Sequence, residues 1–243
     1  MPTSCQDFYR QLHDGCGEAL TASFTADTNG LQASSHSFIT DLEKWYEMLR
    51  CRPESTLIRD SLREYQFALL AVLQAQYRQA FMALRLSFEL LLATVYFSAN
   101  EFQFRLWLRG EHDLNWQAII ERENGILSTR FVTAFFEGIA EEAPRYRAIA
   151  EAVYRECSQY VHGNAPTSAL LPSQVTFELS VFHSWHAKAR TIRLVSSFAL
   201  SARYLGLATE AERLTLEGVL LDNVGHIPAI RRLFGASTEQ GNV

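Results

Sequence analysis

The chain has 243 residues, 48% of them hydrophobic and 20% charged, with a net charge of −5. Those values describe a folded globular protein with a sizeable core and exclude a disordered chain; the acidic balance also excludes a protein that coats nucleic acid through a broad cationic surface, while leaving room for a local phosphate site. Cys5, Cys16, Cys51 and Cys157 are scattered, form no Cys-x2-Cys pair and follow no secretory leader, so a reduced, cytoplasmic protein is expected.

Residues 1–34 mix Gly, Ser, Thr and Asp and predict a loosely ordered lead with one short helix. A single helical domain is expected over 35–235, with 236–243 as a polar tail. Its first helix starts near His36, where Phe38, Ile39, Leu42, Trp45, Tyr46 and Leu49 recur at helical spacing, and Arg52-Pro53 ends it. From Ser55 to Asn100 there is neither Gly nor Pro. One unbroken helix of that length would extend about 68 Å, so a fold-back near Gln74–Tyr77 suits a compact domain better. The apolar run from Leu86 to Ala99 holds Glu89 and is too short to span a bilayer, which leaves a buried helix and no membrane.

Short helices are expected at 101–109 and 114–123, with Gly110 and Gly125 as stops and Asp113 as a cap. Ser128 caps a further helix through Glu141, and Pro144 opens the next, which should stop at Gly163. Asn164 to Ser173 predicts a loop and Val175 to Leu179 an extended segment. A long helix from Val181 to Leu205, one capped by Thr209 through Leu221, and a last short one opened by Pro228 complete an all-α chain.

The chemistry concentrates in Tyr154-Arg-Glu-Cys-Ser-Gln-Tyr-Val-His-Gly163. Arg155 and His162 stand seven positions apart, so on one helix they share a face, separated by roughly 10 Å along the axis. A guanidinium grips a phosphate and an imidazole moves a proton beside it. Arg105 and His112 repeat the spacing, but Gly110 lies between them and takes them off a common face. His183 and His186 have metal-compatible spacing without a partnered Cys, Asp or Glu pattern, and no glycine-rich phosphate loop or Gly-x-Ser-x-Gly elbow is present, so neither metal nor cofactor is expected.

The segment resembles the end of the HEPN domain, an all-helical family of RNA-cleaving toxins and defence proteins whose signature is Arg, four to six residues, then His. Here the spacer is Glu156 to Val161, and Tyr154, Ser158 and Val161-His162-Gly163 match the Tyr-x3-Ser-x2-Val-His-Gly ending. Upstream, Tyr77-Arg78, Ala80, Leu84-Arg85, Phe88-Glu89 and Tyr96-Phe97 resemble the family helix whose polar side chains face the Arg–His pair. The resemblance covers residues 60–205 and implies a HEPN-like helical bundle with added N- and C-terminal helices. It also implies a metal-independent endoribonuclease, acting as a toxin or antiviral defence effector, with a homodimer, an RNA substrate and a regulatory or antitoxin partner. His162 would be the general acid or base, Arg155 would stabilise phosphoryl charge, and Ser158, Arg85 and Glu89 would support them.

A second functional class stays open: a non-catalytic HEPN-like module that binds protein or nucleic acid within a defence or regulatory complex. The acidic charge and Glu156, where many active members carry a small polar residue or His, favour it. The intact Arg155 and His162 favour cleavage. The plain structural readings are that Arg155 pairs with Glu151, that His162 complements its helix dipole, that Arg85 and Glu89 form an ordinary ion pair, and that Ser158 bonds back to its own helix.

Overall fold

A computed structural model describes residues 4–162 and 164–235, and every regular element among them is helical. The expected tail at 236–243 lies outside the described residues.

The lead is more ordered than its composition predicts: α1 runs from Cys5 to Ala26. Its buried positions are Cys16, Ala19 and Ser23, small residues that let the helix lie close to its neighbours without an apolar stripe to announce it. α2 spans Leu31–Leu49 and starts before His36, because the Asp27 carboxylate accepts from the backbone N–H groups of Leu31 and Gln32, at 2.8 Å each.

α3 (Ser55–Leu73) and α4 (Tyr77–Ala99) form a hairpin that reverses at Gln74–Gln76. Ala75 takes φ 55° there, a left-handed turn without the glycine that usually marks one. The Ser61 hydroxyl donates to the Ser87 carbonyl at 2.8 Å and ties the two helices together inside the core. α4 alone is long and apolar enough to cross a membrane among the described residues, but 67% of the apolar window is buried inside the protein. It is the central helix of the core, packed on α3, on α8 (Ala143–Val161) and on α10 (Leu179–Tyr204).

Between α4 and α8 lie α5 (Glu101–Leu108), α6 (Trp116–Ile119) and α7 (Thr129–Phe136), the last continued by a 3-10 turn over Glu137–Glu142. The helix expected at 114–123 is a single turn, capped by Asn115 and not by Asp113. It stops because the Glu121 carboxylate accepts from the N–H groups of Glu123 and Asn124 and closes a turn. The loop expected after Gly163 contains a short helix, α9, over Ala165–Leu170. No strand forms at 175–179, since no described segment offers an edge to pair with. α11 (Glu210–Val224) begins with a capping box between Thr209 and Glu212, and α12 (Pro228–Arg232) is the last helix among the described residues.

Polar ties join α10 to α2. The Arg193 guanidinium of α10 reaches the Asp41 carboxylate of α2 at 2.7 Å. On the same pair of helices His186 Nδ1 sits 2.7 Å from the Ser35 hydroxyl, buried against Phe182 and Trp185. Burial pushes the His186 imidazole down from its ordinary 6.5 to about 4.

The fold therefore holds His186 neutral, while the unfolded chain takes up a proton below pH 6.5. Stability contributed by the neutral ring is present above pH 6.5 and is lost as pH falls towards 4, by an amount on the order of 2–3 kcal/mol. Urea midpoints measured at pH 7 and pH 4.5 should fall steeply in the wild type and less steeply in His186→Gln; equal slopes would remove His186 from the account.

Candidate functional site

α8 buries Ala143, Tyr146, Ala150, Val153, Cys157 and Tyr160, a stripe that recurs every three or four residues. At 100° per residue Arg155 lies about 160°, and His162 about 140°, around the helix from Cys157. Both are exposed accordingly. Burial of the stripe and exposure of the pair are thus two faces of one pattern.

Three tyrosines fix how α8 is turned. Tyr146 stacks on Phe198 of α10 at 3.8 Å, Tyr154 on Trp116 of α6 at 3.7 Å, and Tyr160 on Phe81 of α4 at 3.7 Å, all within 11° of parallel. The C-terminal end is held further by Arg78, whose Nη1 donates to the Tyr160 carbonyl at 2.9 Å, placing a cation where the helix leaves carbonyls unpaired. His162 follows as the C-cap, its backbone N–H bonded to the Ser158 carbonyl.

Arg155 has no ion pair or hydrogen bond among the described residues. Glu151, four residues back, pairs with Arg147 at 2.6 Å and not with Arg155. Glu156, next in the chain, pairs with Lys188 of α10 at 3.1 Å. The two acids nearest in sequence are each engaged by another cation, so the Arg155 guanidinium stands open. The His162 ring likewise has no partner among the described residues.

The supporting residues behave differently from one another. Ser158 donates to the Tyr154 carbonyl at 2.8 Å, back along its own helix. Arg85 and Glu89 form a close pair on α4, with Nη2 to Oε1 at 3.0 Å, and together they hold the Tyr154 hydroxyl: Arg85 donates to it at 2.6 Å and it donates to Glu89 at 2.6 Å. Neither makes a hydrogen bond or ion pair with Arg155 or His162 among the described residues. Partial burial works against the Arg85 charge, but the Glu89 carboxylate outweighs it and raises the guanidinium above its ordinary value. Burial, followed by the Glu89 hydrogen bond, pushes the Tyr154 phenol up to about 12. The phenol therefore stays protonated at neutral pH and serves as a strut.

Beside this triad opens a cleft of about 420 Å³ between α3, α4 and the last turn of α8. Val161 lines it, one residue before His162, and so do Glu64 of α3 and Glu89 of α4. Glu64 and Trp116 carry no local sequence signal, since each reaches the site from an element distant in the chain.

The other sequence candidates do not converge. Arg105 pairs with Glu101 at 2.6 Å, and α5 ends before His112 at a left-handed Gly110. His186 is buried on Ser35 while His183 is exposed. No group of three or more His, Cys, Asp or Glu residues suited to a metal occurs among the described residues. Burial pushes the Cys157 thiol up to about 12 and leaves it unreactive.

No protein-family model, curated protein or solved structure matches the chain.

Tyr154→Phe removes the hydroxyl that both Arg85 and Glu89 use while keeping the ring on Trp116. It should lower stability by about 1–2 kcal/mol in urea denaturation. An unchanged midpoint would mean that the triad contributes nothing to holding α8 on α4.

Proposed function

We propose that the protein is a metal-independent endoribonuclease of HEPN type, a toxin or antiviral defence effector governed by a regulatory partner. The observation that carries this reading is the exposed Arg155–His162 face, free of competing acids. Both nearby carboxylates, Glu151 and Glu156, are held by other cations. A phosphate entering there meets an unneutralised guanidinium and an imidazole that needs no prior release from the core.

His162 takes the proton from the attacking ribose 2′-hydroxyl or supplies one to the leaving 5′-oxygen. Arg155 stabilises the charge that grows on the phosphoryl oxygens. The new bond joins the 2′-oxygen to phosphorus, the bond to the 5′-oxygen breaks, and a cyclic 2′,3′-phosphate remains. One Arg–His pair encloses a phosphate on one side only, which is why the reading includes a homodimer in which two α8 helices face each other across a composite cleft. The acidic net charge favours the alternative, a non-catalytic HEPN-like module binding protein or nucleic acid in a defence or regulatory complex.

Arg155→Ala and His162→Ala should each lower cleavage of single-stranded RNA by about a hundredfold or more, with folding retained because both side chains are exposed. Chelator should leave the wild-type rate unchanged, and DNA should resist for lack of a 2′-hydroxyl. Full activity in both variants, or none in the wild type with its partner present, turns the choice to the binding module.

Sedimentation velocity at micromolar concentration should give a dimer. A monomer at all concentrations removes the composite cleft.

A further inference from the structure

Three hydrogen bonds converge on one oxygen of Glu89 and none on the other. Oε1 accepts from Arg85 Nε at 3.2 Å, from Arg85 Nη2 at 3.0 Å and from the Tyr154 hydroxyl at 2.6 Å. Oε2 has no partner among the described residues, nor has Arg85 Nη1, and neither atom is sealed away from solvent. Both residues line the cleft, and each keeps one polar atom uncommitted, an acceptor on Glu89 and a donor on Arg85. Glu64 adds a second carboxylate from the opposite helix, touched only by Arg63 Nε at 3.4 Å. Met82, Leu86 and Val161 supply apolar wall between these polar edges.

A flat heterocycle with a polar edge fits such a cleft, and the polar groups select among heterocycles. We propose that it takes a guanine base of single-stranded RNA, read on its Watson–Crick edge by Glu89, Glu64 and Arg85. Guanine presents two adjacent donors, N1–H and the N2 amino group, to two carboxylates, and its O6 accepts from Arg85 Nη1. Adenine, cytosine and uracil each present a single donor group on that edge, so one carboxylate would meet an acceptor or nothing. The same carboxylates repel phosphate, which keeps the backbone outside the cleft, on the side where Val161 gives way to His162. Guanine beside the scissile phosphate is therefore the substrate feature that the site selects; this rests on the ribonuclease reading for its meaning but not for its measurement.

The test is calorimetric titration of the full chain with 3′-GMP, 3′-AMP, 3′-CMP and 3′-UMP, mononucleotides that have no bond for the proposed reaction to break. 3′-GMP should bind about tenfold or more tighter than the other three. Glu89→Gln, which removes the charge and replaces one acceptor oxygen with a donor amide, should abolish that preference. Glu64→Gln removes the charge and replaces one acceptor oxygen with a donor amide without touching the Arg85–Tyr154 network, and should weaken 3′-GMP alone, by about tenfold, so the question survives any instability of the Glu89 variant. Equal affinity for all four, binding of none, or a guanine preference that outlasts the folded variants overturns the proposal. A guanine preference in a protein that never cleaves RNA leaves the base site standing and removes the ribonuclease; cleavage with no preference for guanine does the reverse.

Discussion

The rotation of α8 about its own axis is the constraint on which the candidate site depends. Its three tyrosines stack on three different elements, α10, α6 and α4, at separations of 3.7–3.8 Å. Each near-parallel stack buries a large flat face and adds about 0.5–1.5 kcal/mol beyond area burial alone. A turn of the helix by one residue, about 100°, would break all three at once and carry Arg155 towards the core. The stacks therefore do more than stabilise: they decide which side chains of α8 meet solvent.

Charge pairing completes what rotation begins. Arginine is nearly the only cation type in this chain, which has lysine only at Lys44 and Lys188. One of those two lysines is the partner of Glu156. Arg147 takes Glu151, and Arg85 takes Glu89. Of the arginines on α8, Arg145 and Arg147 pair with acids, and Arg155 has no ion pair among the described residues. For the exposed face, the pairing of Glu151 and Glu156 matters because it leaves Arg155 unneutralised.

Most of the architecture was legible because it rests on periodic apolar positions. The α3–α4 reversal followed from length alone, yet its place is held by Ala75 in a left-handed turn, a residue type that gives no warning of that conformation. The start of α2 gives no signal at the usual spacing because its capping carboxylate, Asp27, reaches forward four and five residues instead of two or three. α1 looks like a loose lead in the sequence because its buried face is made of Cys16, Ala19 and Ser23, which carry almost no hydropathy signal. In the site, Arg155, His162 and the Arg85–Glu89 pair could be named from spacing. Their connection through Tyr154 to Trp116 could not, because contacts between residues 38 positions apart in the chain leave no period to read.

A net charge of −5 and a cleft walled by two carboxylates set a limit on how this molecule can engage a polyanion. Nonspecific attraction to phosphate grows with the number of cations that line the path, and a lone guanidinium offers little of it. In the proposed reading, affinity would come from short-range terms: a bidentate grip by Arg155, burial of a base against Met82, Leu86 and Val161, and a second copy that doubles the cations around one phosphate. Short-range terms are weakly screened by salt and strongly dependent on geometry. On that proposal an acidic chain would work as a filter, turning away duplexes and long backbones held by charge alone and favouring a strand that presents a single splayed base to the cleft while its phosphate rests against α8.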